Sequence, residues 1–398
     1  MFRIPALFLG AALCVAAPSA AQRLDLRPEA ALETRFFPND PQFEDQLDDI
    51  QSALILSGEA SWRSKDRKTR ILFEPFIRLD AEDADRSYVD IREASVSYEI
   101  NRDWDILVGI SQVFWGVAES RNVVDVINQF DTVEDVDEGE KLGQPMIRVS
   151  RRGNFGTLDA FYLPYFRERL YPGADGRLRT NPRIDGDAAR YERSGDAWAG
   201  DVALRYTKRL GNFDMGAHAF HGTSRNPRLD ANAATGSLEP FYPELTQGGL
   251  DIQWTGGAWL LKGEAVIGDM LGTTFTSAVG GFEYTFFDVS GSGWDVGLIG
   301  EYLYDDRDQA RLPNTIFEND VFIGSRITLN DTQDTEILAG AIIDDQTGGI
   351  FASAEFQRRL GDRMQLEIEA RAFTAKEDPF INSLKTDDHL LLRLTRYF

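Results

Sequence analysis

The sequence predicts an all-β fold, a transmembrane antiparallel β-barrel of about 18 strands, with about 16 as the alternative count, short periplasmic turns and long extracellular loops. Three observations predict this fold. Apolar and polar residues alternate along most of the chain, tight turns alternate with long connections, and an export signal precedes the first strand. Together they indicate an exported chain that closes into one sheet within a membrane, where backbone groups find no other partners.

The alternation has a period of two and is clearest near the C-terminus. Leu366, Ile368 and Ala370 fall on one face of the segment, and Glu367 and Glu369 fall on the other. Period two is the pattern of a β-strand, and here one face suits hydrocarbon while the other suits water. The same split recurs in segments of roughly ten residues, which is typical of strands in outer-membrane barrels.

The connections between the predicted strands are of two kinds that alternate along the chain. One set consists of tight turns such as Gly153-Asn154, Leu210-Gly211 and Gly361-Asp362. The other set contains every long connection, namely 38–49, 115–144, 167–196, 223–246, 306–319 and 375–387. Short turns at one rim and long loops at the other are typical of a bacterial outer-membrane barrel with both termini in the periplasm.

The first 21 residues are predicted to be a secretory signal peptide. Arg3 supplies the positive region, Ile4 to Ala16 form the apolar region, and Pro18 to Ala21 offer small residues for cleavage. Cys14, the one cysteine of the sequence, lies inside this segment, so we expect neither a disulfide nor a thiolate metal site in the mature protein. Residues 22–398 are then expected to form a single barrel domain.

The strongly acidic composition excludes some functions. The formal net charge is -23, which argues against nucleic-acid binding because phosphates require a basic surface. The pair His221 and Ser224 lacks the spacing expected of a lipase, and the cluster Asp387, Asp388 and His389 is interpreted as a solvated loop edge. We therefore predict that the protein is not an enzyme and needs no metal or cofactor.

The inward positions of the predicted strands carry many ionisable residues, as expected of a wall that faces water. The alternation assigns to the lumen Arg70, Glu74, Arg78, Arg148, Asp201, Arg205, Glu283, Glu301, Arg326, Glu367 and Arg371. Two interpretations remain open at this point. These side chains contact solutes, or they form ladders of ion pairs that brace the wall.

Two long loops carry opposite charges. The acidic residues are Asp131, Glu134, Asp135, Asp137 and Glu138, and the basic residues of the next long loop include Arg167, Arg169, Arg177 and Arg179. If both loops fold inward, they set a transverse field across a pore constriction, which filters solutes by charge. The alternative is that both are solvated loops on the cell surface.

The end of the fifth predicted strand and the loop that follows it carry a recognisable motif. It comprises Gly109, Gln112, Trp115, Gly116, Asn122, Asp125 and Asn128. This pattern of a G-x-x-Q-x-x-W-G strand end followed by a loop rich in Asn and Asp resembles porin-like outer-membrane proteins. The resemblance implies a channel whose first long loop enters the lumen, and it does not identify the solute. The inner or outer facing of Gln112 and Trp115 is left open.

These observations favour a porin-like channel for passive diffusion of small hydrophilic solutes. The alternatives are a structural or adhesin-type barrel with a plugged lumen, and a transporter of hydrophobic compounds. Expected partners are outer-membrane lipid and lipopolysaccharide, the solutes themselves, and the barrel-insertion machinery, which is expected to read the C-terminal Phe398 and the apolar row before it. The oligomeric state is left open between a monomer and a homotrimer.

Overall fold

The computed structural model describes residues 23–315, 317–374 and 379–398. The predicted signal peptide, residues 1–21, lies outside the described residues. The regular structure of the described chain is almost entirely β-strand, with short 3₁₀ turns and one short helix, α1 (Pro379–Ser383). No helix in these ranges has the length and apolar character needed to cross a bilayer.

The strands follow one another along the chain with few interruptions. They are β1 (Arg23–Phe36), β2 (Ile50–Arg63), β3 (Thr69–Asp80), β4 (Tyr88–Glu99), β5 (Trp104–Ser111), β6 (Gln144–Gly153), β7 (Gly156–Leu163), β8 (Arg190–Tyr191), β9 (Asp201–Leu210), β10 (Phe213–Thr223), β11 (Arg228–Asn232), β12 (Ser237–Tyr242), β13 (Glu244–Gly256), β14 (Trp259–Met270), β15 (Thr273–Phe286), β16 (Asp295–Asp305), β17 (Asn319–Thr328), β18 (Glu336–Asp344), β19 (Ile350–Arg359), β20 (Met364–Thr374) and β21 (His389–Tyr397). All but β8, β11 and β12 belong to one 18-stranded sheet.

The large sheet is a closed antiparallel barrel. Each of its strands pairs with the next one along the chain, and β21 returns to pair with β1, where Leu394 lies opposite Leu32. Closure leaves no sheet edge, which a bilayer would not tolerate because lipid offers no hydrogen-bond partner. The predicted all-β barrel of 18 strands is confirmed.

The alternation of side chains sorts the wall into an apolar outer face and a polar inner face. Leu32 is 63% exposed while the next residue, Glu33, is 2% exposed. Leu250 is 63% exposed and Asp251 is 7% exposed. This pattern is the reverse of a soluble protein, in which leucine is buried and carboxylates face solvent. It is the pattern expected when hydrocarbon surrounds the barrel and charged groups face its interior.

The connections also alternate in length, which distinguishes a short-turn rim from a long-loop rim. The long connections at the long-loop rim include 37–49, 112–143, 164–200, 224–243 and 306–318. Two of them contain regular structure that the sequence did not suggest. In the loop 224–243, β11 and β12 form a hairpin, and β8 of the loop 164–200 pairs with β12 in parallel.

Residues 112–143, which we call the lumen loop, fold into the barrel and build an apolar core there. Val124 and Ile127 of this loop are 0% exposed, and they belong to one buried cluster with wall residues that include Phe161 and Phe275. The wall strands of this cluster lie between β5 and β15. The burial of these side chains stabilises the inward position of the loop, at about 1.5–3 kcal/mol for each large apolar side chain.

Candidate pore constriction

The acidic half of the lumen loop binds arginines of the barrel wall. Glu134 accepts hydrogen bonds from Arg78 at 2.6 Å and from Arg393 at 2.7 Å, and its main-chain oxygen accepts one from Arg35 at 2.5 Å. Arg78 and Arg393 also pair with Glu33 on β1. Glu33, Arg78 and Glu134 are buried and Arg393 is partly exposed, so the buried charges depend on their partners to offset the loss of hydration.

Further carboxylates of the loop pair with the wall on both sides of Glu134. Asp131 accepts hydrogen bonds from Arg92 at 2.7 Å and from the Tyr88 hydroxyl at 2.5 Å. Asp135 and Asp137 accept from Arg371 at 3.0 Å and 2.9 Å. Strands β1, β3, β4, β20 and β21 therefore hold the acidic half of the lumen loop by charge.

The other half of the lumen loop reaches the opposite wall at β14 and β16. In the ring of 18 strands, β14 lies half-way round from β2, which is a neighbour of the anchoring strands β1 and β3. The Glu264 carboxylate on β14 accepts from the backbone N–H groups of Val117 at 2.5 Å and Ala118 at 2.9 Å. Glu301 on β16 accepts from the N–H groups of Glu119 and Ser120, both at 2.8 Å. Since inward carboxylates cap these backbone donors, the loop spans the full width of the lumen.

The motif residues build the neck of this loop. The Asn128 amide donates to the carbonyls of Ser111 at 3.0 Å and Leu142 at 2.9 Å, and its oxygen accepts from the Val113 N–H at 2.9 Å. Asp125 forms an ion pair with Lys141, and the Gln112 amide donates to the Lys141 carbonyl. The two ends of the loop are thereby tied together at the wall.

Both glycines of the motif sit where a side chain has no room. Gly109 has a φ of +139°, and a Cβ there would lie 2.1 Å from the Ala94 carbonyl oxygen of the neighbouring strand. Gly116 has a φ of +109°, and a Cβ there would collide with Asn122, whose oxygen would be 2.2 Å away, and with Glu264. These positions favour glycine on both conformational and steric grounds.

Trp115, whose facing the sequence left open, lies inside the barrel. It is 6% exposed, its ring contacts Phe161 and His218, and the Arg205 guanidinium lies 5.0 Å from the ring centroid. The motif residues therefore organise the lumen loop and anchor it to the wall. In this arrangement Trp115 is a packing residue.

The arginines of the loop 164–200 are not arranged as the sequence suggested. Arg177 is buried and pairs with Asp387 at 2.7 Å, so it does not reach the lumen. Arg179 is also buried and donates to main-chain carbonyls, and Arg167 pairs with Asp90 of β4. Between the acidic segment and this loop, the ion pair found in the described chain is Arg169 with Glu138 at 3.2 Å. The arginines that pair with most of the acidic residues are those of the wall strands, whose inward positions face the lumen loop.

The other residues predicted to line the lumen take part mostly in ion pairs or polar contacts within the wall. The partners are Arg193 and Arg225 for Asp201, Asp251 for Arg205, Asp105 for Arg148, Glu336 and Glu119 for Arg326, Arg326 for Glu283, and the Gln365 amide for Glu367. Glu74 lies opposite Glu93, and Arg70 lies opposite Ser97, in the pairing of β3 with β4. The ion-pair ladder that the sequence left open is thus a large part of this wall.

Two cavities flank the tip of the lumen loop. The large cavity, of about 250 Å³, lies between the loop and strands β17 to β20, where Ser353, Glu355 and Arg371 line it. The small cavity, of about 90 Å³, lies between the loop and strands β13 to β15. Arg121 and Glu138 line both of them. The larger of these two cavities therefore lies between the loop and strands β17 to β20.

One carboxylate of the lumen loop titrates near neutrality. The Glu140 residue is exposed, yet enclosure by the barrel and the nearby charge of Glu134 raise its pKa to about 7. Burial also raises the pKa of Asp137, and the adjacent Asp135 adds to this shift. Within the described ranges no group of His, Cys, Asp and Glu side chains is arranged to hold a metal ion.

The barrel is similar in fold to solved outer-membrane proteins. A BenF-like porin from Pseudomonas fluorescens aligns with 94% of this chain and 98% of its own, at a TM-score of 0.54 and 7% identity. Pseudomonas aeruginosa OccK9 (OpdG) aligns with 95% and 97%, at 0.55 and 10% identity. Escherichia coli Wzi, a carbohydrate-binding β-barrel involved in group 1 capsule assembly, aligns with 94% and 85%, at 0.54 and 10% identity.

Identities at this level show a shared fold, and a fold by itself does not assign a function. No protein-family model and no curated protein sequence matches the chain. What the chain shares with these solved proteins is the architecture of the barrel.

Sequence reasoning missed several residues that hold the lumen loop. Arg92 and Asp90 share the inward face of β4, and their alternation with Val89 and Ile91 was a signal that could have found them. The apolar residues that include Val124 and Ile127 were a second signal, because a cluster of apolar side chains is unfavourable in a solvated loop. Lys141 gave no signal, since its partner Asp125 meets it only after the loop has folded.

Proposed function

We propose that this protein is an outer-membrane porin-like channel for passive diffusion of small hydrophilic solutes. The observation that carries the proposal is the large cavity beside the lumen loop, inside a closed barrel whose inner face is charged. Charged walls keep a lumen hydrated, and a loop that narrows it sets the size limit. The proposal includes export through cleavage of residues 1–21, and insertion of residues 22–398 as one domain.

The constriction in this proposal lies between the lumen loop and strands β17 to β20. Asp137 and Glu138 of the loop and Arg371 and Glu355 of the wall line the large cavity, and Asp137 pairs there with Arg371 at 2.9 Å. Asp131, Glu134 and Asp135 brace the loop through their ion pairs with the wall. Charges of both signs around the opening orient dipolar solutes and disfavour the passage of apolar solutes.

The outer surface of the barrel supports the proposed partners. Its apolar belt suits outer-membrane lipid, and the long-loop rim would face lipopolysaccharide outside the cell. Phe398 is 64% exposed at the other rim, where the insertion machinery has access to it. The oligomeric state, monomer or homotrimer, is measured directly by light scattering of the detergent-solubilised protein.

Cysteine modification tests the position of the passage. Ser353 lines the large cavity, whereas Ser292 lies in an exposed turn at the short-turn rim. Covalent attachment of a charged methanethiosulfonate reagent at Ser353→Cys should reduce single-channel conductance in planar bilayers. The matched variant Ser292→Cys should keep its conductance after the same treatment. Conductance that is insensitive to the reagent at Ser353→Cys contradicts the proposed passage.

A second candidate function is a barrel with a plugged lumen whose loops bind a surface partner. The apolar cluster around Val124 and Ile127 favours it, since this cluster fills the side of the lumen next to β5–β15. Wzi, which has the same fold, is named as a carbohydrate-binding barrel. Planar bilayers that contain the protein and show no conductance steps at several voltages, together with binding of surface polysaccharide, would support this candidate. Transport of hydrophobic compounds is the third candidate, and the apolar residues Phe322, Leu338 and Ile342 that line the large cavity are the observation that favours it.

A further inference from the structure

The cations that line the two cavities are almost all neutralised by neighbouring carboxylates. Lys141 pairs with Asp125, Arg169 with Glu138 at 3.2 Å, Arg225 with Asp201 at 2.7 Å, Arg307 with Asp305 at 2.6 Å, and Arg371 with Asp135 at 3.0 Å. Each of these guanidinium or ammonium groups therefore already has a carboxylate partner. A solute anion that approached them would have to displace a protein carboxylate.

Arg121, at the tip of the lumen loop, is the exception among the described residues that line the cavities. It donates a hydrogen bond to the Thr315 hydroxyl at 3.0 Å, and its guanidinium lies 5.0 Å from the centroid of the Phe317 ring. No carboxylate of the described chain lies within 4.0 Å of its nitrogens. A guanidinium offers five donors, so most of them remain available to a ligand.

Arg121 lines both cavities, and Glu138, the opposite charge that acts on it most, is already paired with Arg169. The small cavity combines the guanidinium with an apolar side, formed by Val126, Val266, Met270 and Phe275. Its volume of about 90 Å³ equals roughly three water molecules at ~30 Å³ each. A cationic end and an apolar end within so small a space fit a short organic anion better than an inorganic one.

We propose that Arg121 binds the carboxylate of a short-chain organic acid, whose apolar tail enters the small cavity. The planar guanidinium matches a carboxylate with two parallel hydrogen bonds, which a lysine at this position would not provide. The hydrogen bond to Thr315 and the contact with the Phe317 ring hold the guanidinium in place. The proposal rests on the proposed channel only for the route by which the acid arrives, because the large cavity adjoins Arg121.

Calorimetric titration of the detergent-solubilised full barrel with sodium butyrate tests the site. The wild-type protein should bind butyrate, and Arg121→Gln should weaken binding at least tenfold. Arg121→Lys keeps the charge and should weaken binding less than Arg121→Gln does. Arg102→Gln, in an exposed turn at the short-turn rim, removes the same charge far from the cavities and should bind as the wild type does.

Two results overturn the proposal. The first is the absence of butyrate binding to the wild type, and the second is binding to Arg121→Gln within about twofold of the wild type. Titration with inorganic phosphate and with 1-butanol should give weaker binding than butyrate, and an equal affinity for either contradicts the assignment to an organic carboxylate. Both Arg121 variants must keep the heat-modifiable migration of the folded barrel, and Arg121→Lys carries the test if Arg121→Gln does not fold.

This readout separates the site from the channel. Butyrate binding without any conductance in potassium chloride would keep the Arg121 site and contradict the proposed channel. Conductance in potassium chloride without butyrate binding would do the reverse.

Discussion

A single buried amide shows how the residues of the lumen loop act together. Asn128 is 1% exposed, and its side chain satisfies two carbonyls and one N–H group at the neck of the loop. A buried hydrogen bond contributes about 1 kcal/mol net, and a buried group left without a partner costs about 1–3 kcal/mol. Asn128 therefore contributes more to the inward position of the loop than its size suggests.

Asn128→Ala should free the neck of the loop. We expect a local loss of about 2–4 kcal/mol, because three backbone groups lose their partner together. Hydrogen exchange followed by mass spectrometry should show at least about tenfold faster exchange within 112–143. Asn330→Ala, which removes an exposed amide from a turn at the short-turn rim, is the matched control and should leave this exchange unchanged. Equal exchange in both variants would refute the role of Asn128.

Glu140 should make the ion selectivity depend on pH. Its pKa of about 7 means that the carboxylate is charged near pH 8 and mostly neutral near pH 6, so acidification removes negative charge from the lumen. The charged groups around it are Arg92, Glu134, Asp135 and Arg393. Reversal potentials in a potassium chloride gradient should show a cation preference that falls from about pH 8 to about pH 6. Glu140→Gln should lose most of that change, and an unaltered pH response would show that other groups cause it.

At the scale of elements, the strands were predictable from the sequence and the course of the loops was not. A strand such as β20 declares itself through local alternation, because one face meets lipid and the other meets water. The path of residues 112–143 depends instead on partners far away in sequence, such as Arg78, Arg371 and Arg393. The motif implied that this loop enters the lumen, but charge patterning alone did not reveal that wall arginines bind most of its acidic residues.

The long-loop rim is held together by a second charged element. Arg177 of the loop 164–200 pairs with Asp387, and it also donates to the carbonyls of Asn39, Asp48 and Thr386, so that it ties three loops together. Both side chains of the ion pair are 0% exposed. The sequence offered Arg177 as a candidate constriction residue, and in the structure its buried contacts connect loops.

Arg177→Met should loosen these loops at the rim. Removing one partner of a buried ion pair costs about 3–5 kcal/mol, because the other charge stays buried without compensation. Cleavage by proteinase K within 164–200 should become faster, and the barrel strands should stay resistant. Arg183→Met removes an exposed arginine of the same loop and serves as the control. Equal resistance of the two variants would show that the ion pair does not hold the rim.

At the scale of the whole molecule, the closed barrel follows from few requirements. Side chains that alternate between lipid and water favour strands, and the bilayer leaves no place for a sheet edge, so the strands close through β1 and β21. Strand number was predictable because turns and loops alternate along the chain. The contents of the lumen were not predictable in the same way. Val124, Ile127 and the charged residues of one loop contact wall strands that are far from them in the sequence.

The central claim is that solutes pass beside the lumen loop, and single-channel recording in planar bilayers tests it most directly. The comparison is between the wild type and a variant in which residues 117–124, which bind Glu264 and Glu301, are replaced by a short Gly-Ser linker. The account predicts stepwise conductance for the wild type and clearly larger steps for the variant. A wild-type protein that never conducts at any voltage, beside a variant that does, would contradict the account and identify the loop as a plug.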